Sequence, residues 1–111
     1  MERIFKQCRI SKRYRGYRQL QACVRIAMED ESQLLYVTGI YKVVGREFHT
    51  SPSGIERNIR TVIKCIWNSK QKSFLDELAG MKLEEQPTSG ELIEILVCYL
   101  KDSEKRQRSY K

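Results

Sequence analysis

The chain has 111 residues, of which 41% are hydrophobic and 32% charged, and its formal net charge is +7 at pH 7. This length suits one domain with a modest core, and the apolar share predicts a folded globule rather than a disordered chain. No apolar run approaches the roughly 20 residues of a membrane-spanning helix, and the charged N-terminus lacks the apolar block of a signal peptide. We therefore expect a cytoplasmic protein with no membrane partner.

The positive charge is concentrated at the two ends of the chain. Residues 1–18 hold seven Lys or Arg against one Glu, and residues 101–111 are also net positive. Acidic residues cluster instead at 29–31 and 76–94. This polarity predicts a surface that binds a polyanion, most commonly nucleic acid. The alternative is a basic protein whose charge serves only solubility.

Hydrophobic spacing predicts helices throughout. Apolar residues recur at three- and four-residue steps over 15–30, and the apolar series over 33–48 predicts a short helix followed by a longer one. Further amphipathic helices are predicted at 53–69, at 70–80 and from 88 to about 103. We therefore predict an all-α fold, a compact domain of five or six helices.

Helix ends are marked by local signals. Ser53 with Glu56, and Thr88 with Glu91, have the spacing of capping boxes and predict two helix N-termini. Gly80 predicts the end of the short helix before the last one.

The cysteines, at positions 8, 23, 65 and 98, include no close pair. Zinc sites usually bring two ligands within a few residues, so we expect no metal site and no cofactor. Cys23, Cys65 and Cys98 lie beside apolar residues in helical patterns, which predicts reduced thiols packed as small hydrophobes.

Catalytic motifs are also missing. The one histidine, His49, lies in a predicted turn, and the acidic pair Glu84-Glu85 adjoins a predicted loop and indicates solvated charge. No GxSxG, HExxH or P-loop pattern occurs. We predict that the protein is not an enzyme.

Two helices at 39–48 and 53–69, joined by a turn at 49–52, make a helix-turn-helix whose second helix would lie in the major groove. Arg57 and Arg60 lie one turn apart on its exposed side, and each could donate two hydrogen bonds to guanine. Glu56, the third predicted base-reading residue, could accept from a cytosine amino group. Capping together with an ion pair to Arg60 explains Glu56 equally well.

Phosphate contacts are predicted around the start of the second helix. The hydroxyls of Thr50, Ser51 and Ser53, with the free N–H groups of the helix N-terminus, could hold a phosphate. Turn formation and capping would also explain these three residues. Further predicted phosphate contacts come from the exposed face of the helix and from the basic N-terminal run: Thr61, Lys64, Lys12 and Arg13.

Three segments of the chain resemble the C-terminal effector domain of stage 0 sporulation protein A, the response regulator that initiates endospore formation. They are "GYRQLQACVRIAMED", "YKVVGREFHTSPSGIERNIRTVIKCIW" and "QPTSGELIEILV". The resemblance implies a six-helix domain with a helix-turn-helix that binds double-stranded promoter DNA, often as two copies head to tail on tandem sites. It implies base reading by a Glu-Arg pair and the following arginine, which match Glu56, Arg57 and Arg60.

The sequence departs from this family at several points. Relatives usually carry a basic residue at Gly54, a histidine at Thr61 and often an acidic residue at Lys64, which implies a different target sequence or affinity with the same docking mode. The resemblance covers 12–103, and we predict a basic lead at 1–11 and a basic tail at 104–111. No receiver-like series of βα units is present in the sequence, so phosphorylation control is not implied. Met1 with its own lead favours a natural single-domain protein over an excised fragment.

The leading hypothesis is a sequence-specific transcriptional regulator that binds double-stranded DNA. The alternative is a protein-interaction module, for example an antagonist of a full-length relative, with the helix-turn-helix as a scaffold. Gly54 favours this alternative slightly, because it removes a side chain that could contact DNA. The sequence lacks the exposed aromatic platform that single-strand recognition uses, which argues against RNA binding. We expect a monomer in solution and paired molecules on tandem sites.

Overall fold

From residue 15 onward the order of elements follows the predicted pattern, whereas the helix Glu2–Gln7 was not predicted. A computed structural model describes residues 2–109, and the side chains of residues 2–105. Within these residues the chain forms no strand but six α-helices and one 3-10 helix: α1 (Glu2–Gln7), α2 (Arg15–Glu29), the 3-10 helix (Glu31–Tyr36), α3 (Val37–Glu47), α4 (Pro52–Trp67), α5 (Lys72–Ala79) and α6 (Ser89–Ser109). The predicted all-α class is confirmed.

Helix α2 lies at the centre and packs against α3, α4 and α6. Its contact with α4 is close at Gly16, where a Cβ atom would lie 2.3 Å from the Asn58 carbonyl oxygen and 2.8 Å from the Val62 side chain. Only glycine lets the two helices approach this far. The core around this contact is built from fully buried apolar side chains, among them Leu20, Val24, Ile40, Val44, Ile55, Ile59, Ile63, Ile93 and Val97.

The N-terminal segment takes part in this core. Ile4 and Phe5 of α1 are buried, and the Phe5 ring packs edge-on against Tyr17 of α2 with 4.7 Å between ring centres. The division of the chain into a lead (1–11), an effector domain (12–103) and a tail (104–111) stays a prediction. Helix α6 continues to Ser109, beyond its predicted end.

The segment 33–48 forms a short helix followed by a longer one, as predicted. Asp30 caps the 3-10 helix, because its carboxylate accepts from the Ser32 N–H at 3.1 Å. Helix α3 then begins at Val37.

The predicted N-cap of α4 is wrong by two residues. Ser51, not Ser53, caps the helix, and its hydroxyl oxygen accepts from the Gly54 N–H at 3.0 Å. Pro52 explains the shift, because a proline has no N–H to satisfy and its fixed φ suits the first helical position. Ser53 therefore lies exposed in the first turn of the helix.

The other two predicted helix ends are confirmed. Gly80 ends α5 in the left-handed conformation, with φ of 74°. At the start of α6 the Thr88 hydroxyl accepts from the Glu91 N–H, and the Glu91 carboxylate accepts from the Thr88 N–H, both at 3.1 Å.

The link between α5 and α6 is fastened to α5 by two backbone hydrogen bonds of Leu83. Asp76 accepts from the Leu83 N–H at 2.9 Å, and Lys72 donates to Asp76 at 3.2 Å and to the Leu83 carbonyl oxygen at 2.9 Å. The Lys72 ammonium also lies 4.7 Å from the centre of the Trp67 ring. These contacts hold the extended segment before α6 in place.

Two of the four free cysteines are buried and two are exposed. Cys8 and Cys23 are buried, and burial raises the pKa of the Cys8 thiol to about 11 and that of Cys23 to about 12. Cys65 and Cys98 are exposed, so the prediction that they pack as hydrophobes is wrong. Both occupy positions outside the buried stripe of their helices.

No helix among the described residues is long and apolar enough to span a bilayer.

Candidate nucleic-acid interface

The turn between α3 and α4 depends on a glycine. The Thr50 N–H donates to the Gly45 carbonyl oxygen at 2.9 Å, and a Cβ atom on Gly45 would lie 2.6 Å from the Thr50 carbonyl oxygen. A side chain at Gly45 would therefore push the turn away from α3. His49 adopts a left-handed φ of 55°, which turns the chain back toward α4. The result is a short, tightly held turn of residues 48–51 in a helix-turn-helix.

The predicted base-reading residues lie on the face of α4 opposite its buried stripe. Arg57 and Arg60 are exposed, and Glu56 is half-buried. The stripe that turns toward the core consists of Ile55, Ile59, Val62, Ile63 and Ile66. Among the described residues, no neighbouring helix buries the two arginines, so their side chains are open to a ligand in front of α4.

The two arginines differ in their partners. Among the described residues, no ion pair or hydrogen bond involves the Arg57 guanidinium. The Arg60 guanidinium donates to both carboxylate oxygens of Glu56, with 3.1 Å between Nε and Oε1. Of the roles left open for Glu56, the ion pair with Arg60 is therefore present, whereas capping is carried out by Ser51.

A cleft of about 450 Å³ brings three of the predicted phosphate contacts together. We call it the basic cleft; it is formed by the loop before α2, the first turns of α2, the helix-turn-helix turn and α4. Its lining includes the predicted residues Lys12, Arg13 and Thr50, and with them Arg15, Arg18, His49 and Asn58. No acidic side chain of the described residues lines this cleft, so its local charge is strongly positive.

Contacts across the molecule hold one wall of the basic cleft. The Cys65 thiol donates to the Tyr14 hydroxyl oxygen at 3.4 Å, which ties the loop before α2 to α4. This contact raises the pKa of the Tyr14 phenol, so Tyr14 stays neutral at physiological pH. Asn58 donates to the Gln19 side chain at 3.0 Å, which joins α4 to α2 at the floor of the cleft.

A shallower depression lies on the other side of the turn. Thr50 and Ser51 line it together with Lys42, Arg46 and His49. The remaining predicted phosphate contacts, Ser53, Thr61 and Lys64, are exposed on α4 and line neither depression.

Two of the predicted hydroxyls already have partners within the protein. The Ser51 oxygen accepts from the N–H of Gly54, and the Thr61 hydroxyl donates to the Arg57 carbonyl oxygen at 3.2 Å. Each oxygen keeps a lone pair or a rotatable proton that can reach water or an anion. The Thr50 hydroxyl lies close to the helix N-terminus, near Gly54.

Gly54 does not face the front of α4. It is buried, and a Cβ atom there would lie 2.4 Å from the Thr50 hydroxyl oxygen and 3.3 Å from that of Ser51. A side chain at this position would start out against the turn rather than toward a ligand. Gly54 therefore gives no support to the interaction-module alternative.

Sequence reasoning did not assign sites to several cations that the fold brings to this surface. Arg15 and Arg18 line the basic cleft, and Lys42 and Arg46 line the depression beside it. The basic N-terminal run pointed to the first pair, and the four-residue spacing on one face of α3 could have pointed to the second. His49 borders both depressions, but nothing in its sequence neighbourhood predicted that position.

Among the described residues, no group of three or more His, Cys, Asp or Glu side chains could hold a metal ion. The acidic pair Glu84-Glu85 is exposed in the link before α6, away from the basic cleft.

A comparison with protein families gives one match over most of the chain. The family model described as "Sporulation initiation factor Spo0A C terminal" matches residues 1–100. The match includes α1 as well as the helix-turn-helix. This family is a DNA-binding regulatory domain, the effector domain of a response regulator, and not an enzyme family.

Proposed function

The chain belongs to the Spo0A C-terminal family, and on that premise we propose that it is a sequence-specific transcriptional regulator that reads the major groove of double-stranded DNA with α4. The observation that carries the proposal is the uncovered arginine flank of α4, within a helix-turn-helix whose turn is bordered by a strongly basic cleft. An α-helix fits the major groove, where residues near its N-terminus reach base edges.

Base reading is assigned to Arg57, Arg60 and Glu56. Arg57 has the simplest role, because its guanidinium can meet the O6 and N7 atoms of guanine without leaving a partner in the protein. Arg60 must share its donors with Glu56 or exchange Glu56 for a base. In that exchange the Glu56 carboxylate becomes free to accept from a cytosine amino group.

Phosphate contacts would flank the reading helix on both sides. On one side, Lys12 and Arg13 in the basic cleft would meet a backbone phosphate, and Arg15 and Arg18 from the same cleft would add to it. At the front, Thr50, Ser51 and Ser53 adjoin the N–H groups of the α4 N-terminus, which favour an anion.

Contacts further along the helix would complete the interface. Thr61 and Lys64 follow the arginines on the exposed face of α4, where they would meet the opposite wall of the groove. Such contacts fix the register of α4 on the duplex but read no sequence, so they serve orientation rather than specificity.

The experiment that tests this function is selection of bound duplexes from a random pool, with the full chain as bait at fixed salt. We expect enrichment of one short element, and a Kd for that element at least about 1,000-fold lower than for scrambled duplex, the lower end for specific DNA-binding proteins. A pool that stays unenriched, with equal affinity for all duplexes, would contradict the proposal. A stoichiometric complex with a receiver-bearing relative in place of DNA binding would favour the interaction module instead.

Association on DNA is part of the same proposal. We expect a monomer in solution and two copies head to tail on a duplex that carries two elements in tandem. Sedimentation velocity with one-element and two-element duplexes measures both. A stable dimer in the absence of DNA would contradict this arrangement.

A further inference from the structure

The first residue of α6 makes a buried contact with the reading helix. The side chain of Ser89 is almost fully buried, with 1% of its surface exposed. Its hydroxyl donates to the Glu56 carbonyl oxygen at 3.0 Å and lies 3.5 Å from the Glu56 carboxylate oxygen Oε1. The two residues are 33 positions apart in the chain. A helical carbonyl has two lone pairs, so it can accept from Ser89 as well as from its own helix.

Glu56 in turn holds Arg60. Its oxygen Oε1, the one near Ser89, accepts from the Arg60 Nε at 3.1 Å, and Oε2 accepts from a terminal nitrogen of the same guanidinium. A chain of polar contacts therefore runs from the buried Ser89 through Glu56 to the exposed Arg60. Arg57 lies on the same face, but among the described residues its side chain makes no hydrogen bond or ion pair with Ser89, Glu56 or Arg60.

Tyr41 and Thr88 are neutral polar side chains close to Ser89. The Tyr41 phenol contacts the Ser89 hydroxyl, and burial, with smaller contributions from Cys23 and Glu56, raises the pKa of this phenol to about 12, so Tyr41 stays neutral. The neighbouring Thr88 hydroxyl is engaged with the Glu91 N–H in the capping box. Of the two adjacent hydroxyls at the start of α6, Ser89 faces α4 and Thr88 faces its own helix.

We propose that Ser89 is a positioning residue for DNA recognition: it holds Glu56, and through Glu56 it sets the direction of the Arg60 guanidinium. This inference rests on the proposed function. A long surface arginine normally samples many rotamers. Ser89 holds the Glu56 backbone and lies against its carboxylate, which restricts the group that pairs with Arg60 before DNA is bound. The start of α6, which does not need to touch DNA, thereby determines how sharply one base pair is read.

The test compares Ser89→Ala with Thr88→Ala and with the conservative variant Ser89→Thr. Affinities are measured for the selected duplex and for duplexes altered at single base pairs, after the pair read by Arg60 has been identified with Arg60→Ala. We expect Ser89→Ala to reduce discrimination at that pair about fivefold, the effect of one hydrogen bond. Discrimination at the pair read by Arg57, and the salt dependence, should stay unchanged. Ser89→Thr keeps the hydroxyl, so it should retain the discrimination of the wild-type protein at that pair.

Thr88→Ala is the matched control, because it removes a helix cap at the next residue without touching Glu56. It should lower the melting temperature and leave discrimination unchanged. If Ser89→Ala does not fold, Ser89→Cys keeps the volume with a much weaker donor and takes its place. Full discrimination in the Ala or Cys variant, or an equal loss at the Arg57 pair, would overturn the role of Ser89. A wild-type protein with no duplex preference would overturn the proposed function and this inference together.

Discussion

Replacement of Arg57 by alanine is the most direct test of base reading by α4. The Arg57 side chain is exposed and makes no ion pair or hydrogen bond with any described residue. Arginine and alanine are both good helix formers. The substitution should therefore leave the fold unchanged, and any change in affinity comes from removing the interaction of the guanidinium with DNA.

The expected loss follows from the hydrogen bonds that the geometry permits. One bidentate arginine–guanine pair contributes about 1–3 kcal/mol of discrimination, a factor of about 5 to 150 in relative affinity. Arg60 should contribute less, because some of its donors are already engaged by Glu56. That pair is partly exposed, and such pairs are worth about 0.3–0.5 kcal/mol on a helix. We therefore predict a larger loss of discrimination for Arg57→Ala than for Arg60→Ala.

Fluorescence anisotropy at fixed salt, with the selected duplex and its single-base variants, measures this difference. Arg57→Lys is the matched control: it keeps the charge and loses the planar fork, so the salt dependence should persist while discrimination falls. If Arg57→Ala lowers affinity equally for every duplex, Arg57 contacts phosphate and does not read a base. Full discrimination in Arg57→Ala would refute the role altogether.

Three further predictions concern the basic cleft, the core and the response to acid. Lys12→Ala and Arg13→Ala should weaken binding to all duplexes alike and reduce the slope of log K against log salt by about 0.9 for each phosphate that the protein no longer neutralises; a change in sequence preference would contradict this. Gly16→Ala should lower the free energy of unfolding by about 1–3 kcal/mol in urea titrations, because its Cβ would overlap a backbone carbonyl of α4. Gly39→Ala, whose Cβ would make only ordinary contact at 3.4 Å, should instead stabilise α3 by about 0.5–1 kcal/mol, and equal effects of the two would refute the packing argument. The backbone and lysine contacts of Asp76 lower its pKa below 3.8, so its stabilisation is present above about pH 4 and is lost as the pH falls through the folded-state pKa. Asp76→Asn should flatten this acid limb in melting curves, and an unchanged limb would exclude the contribution.

Local signals predicted much of the chain because each acts within a few residues. Apolar spacing predicted the helices after α1, and Gly80 and the Thr88–Glu91 pair predicted two helix ends, since capping needs only neighbours in sequence. The cap of α4 was mistaken because two serines flank Pro52, and only the backbone geometry selects Ser51.

The surface of α4 shows what hydrophobic periodicity can predict and what it cannot. Spacing alone placed Arg57 and Arg60 opposite the apolar stripe, and both are exposed. Spacing gives no such information for Gly54, which lies next to the turn and is buried there. Periodicity describes one helix, whereas burial depends on which other segment covers it.

What the amino-acid sequence determined by itself was therefore the helices from α2 onward, their apolar faces and the charge available to bind a polyanion. Only the tertiary structure decided which distant residues meet: the loop before α2 with the turn in the basic cleft, and Ser89 with Glu56. The physical reason is that these contacts depend on how closely helices pack, and that distance is set by close approaches such as Gly16 against α4, which no local pattern records.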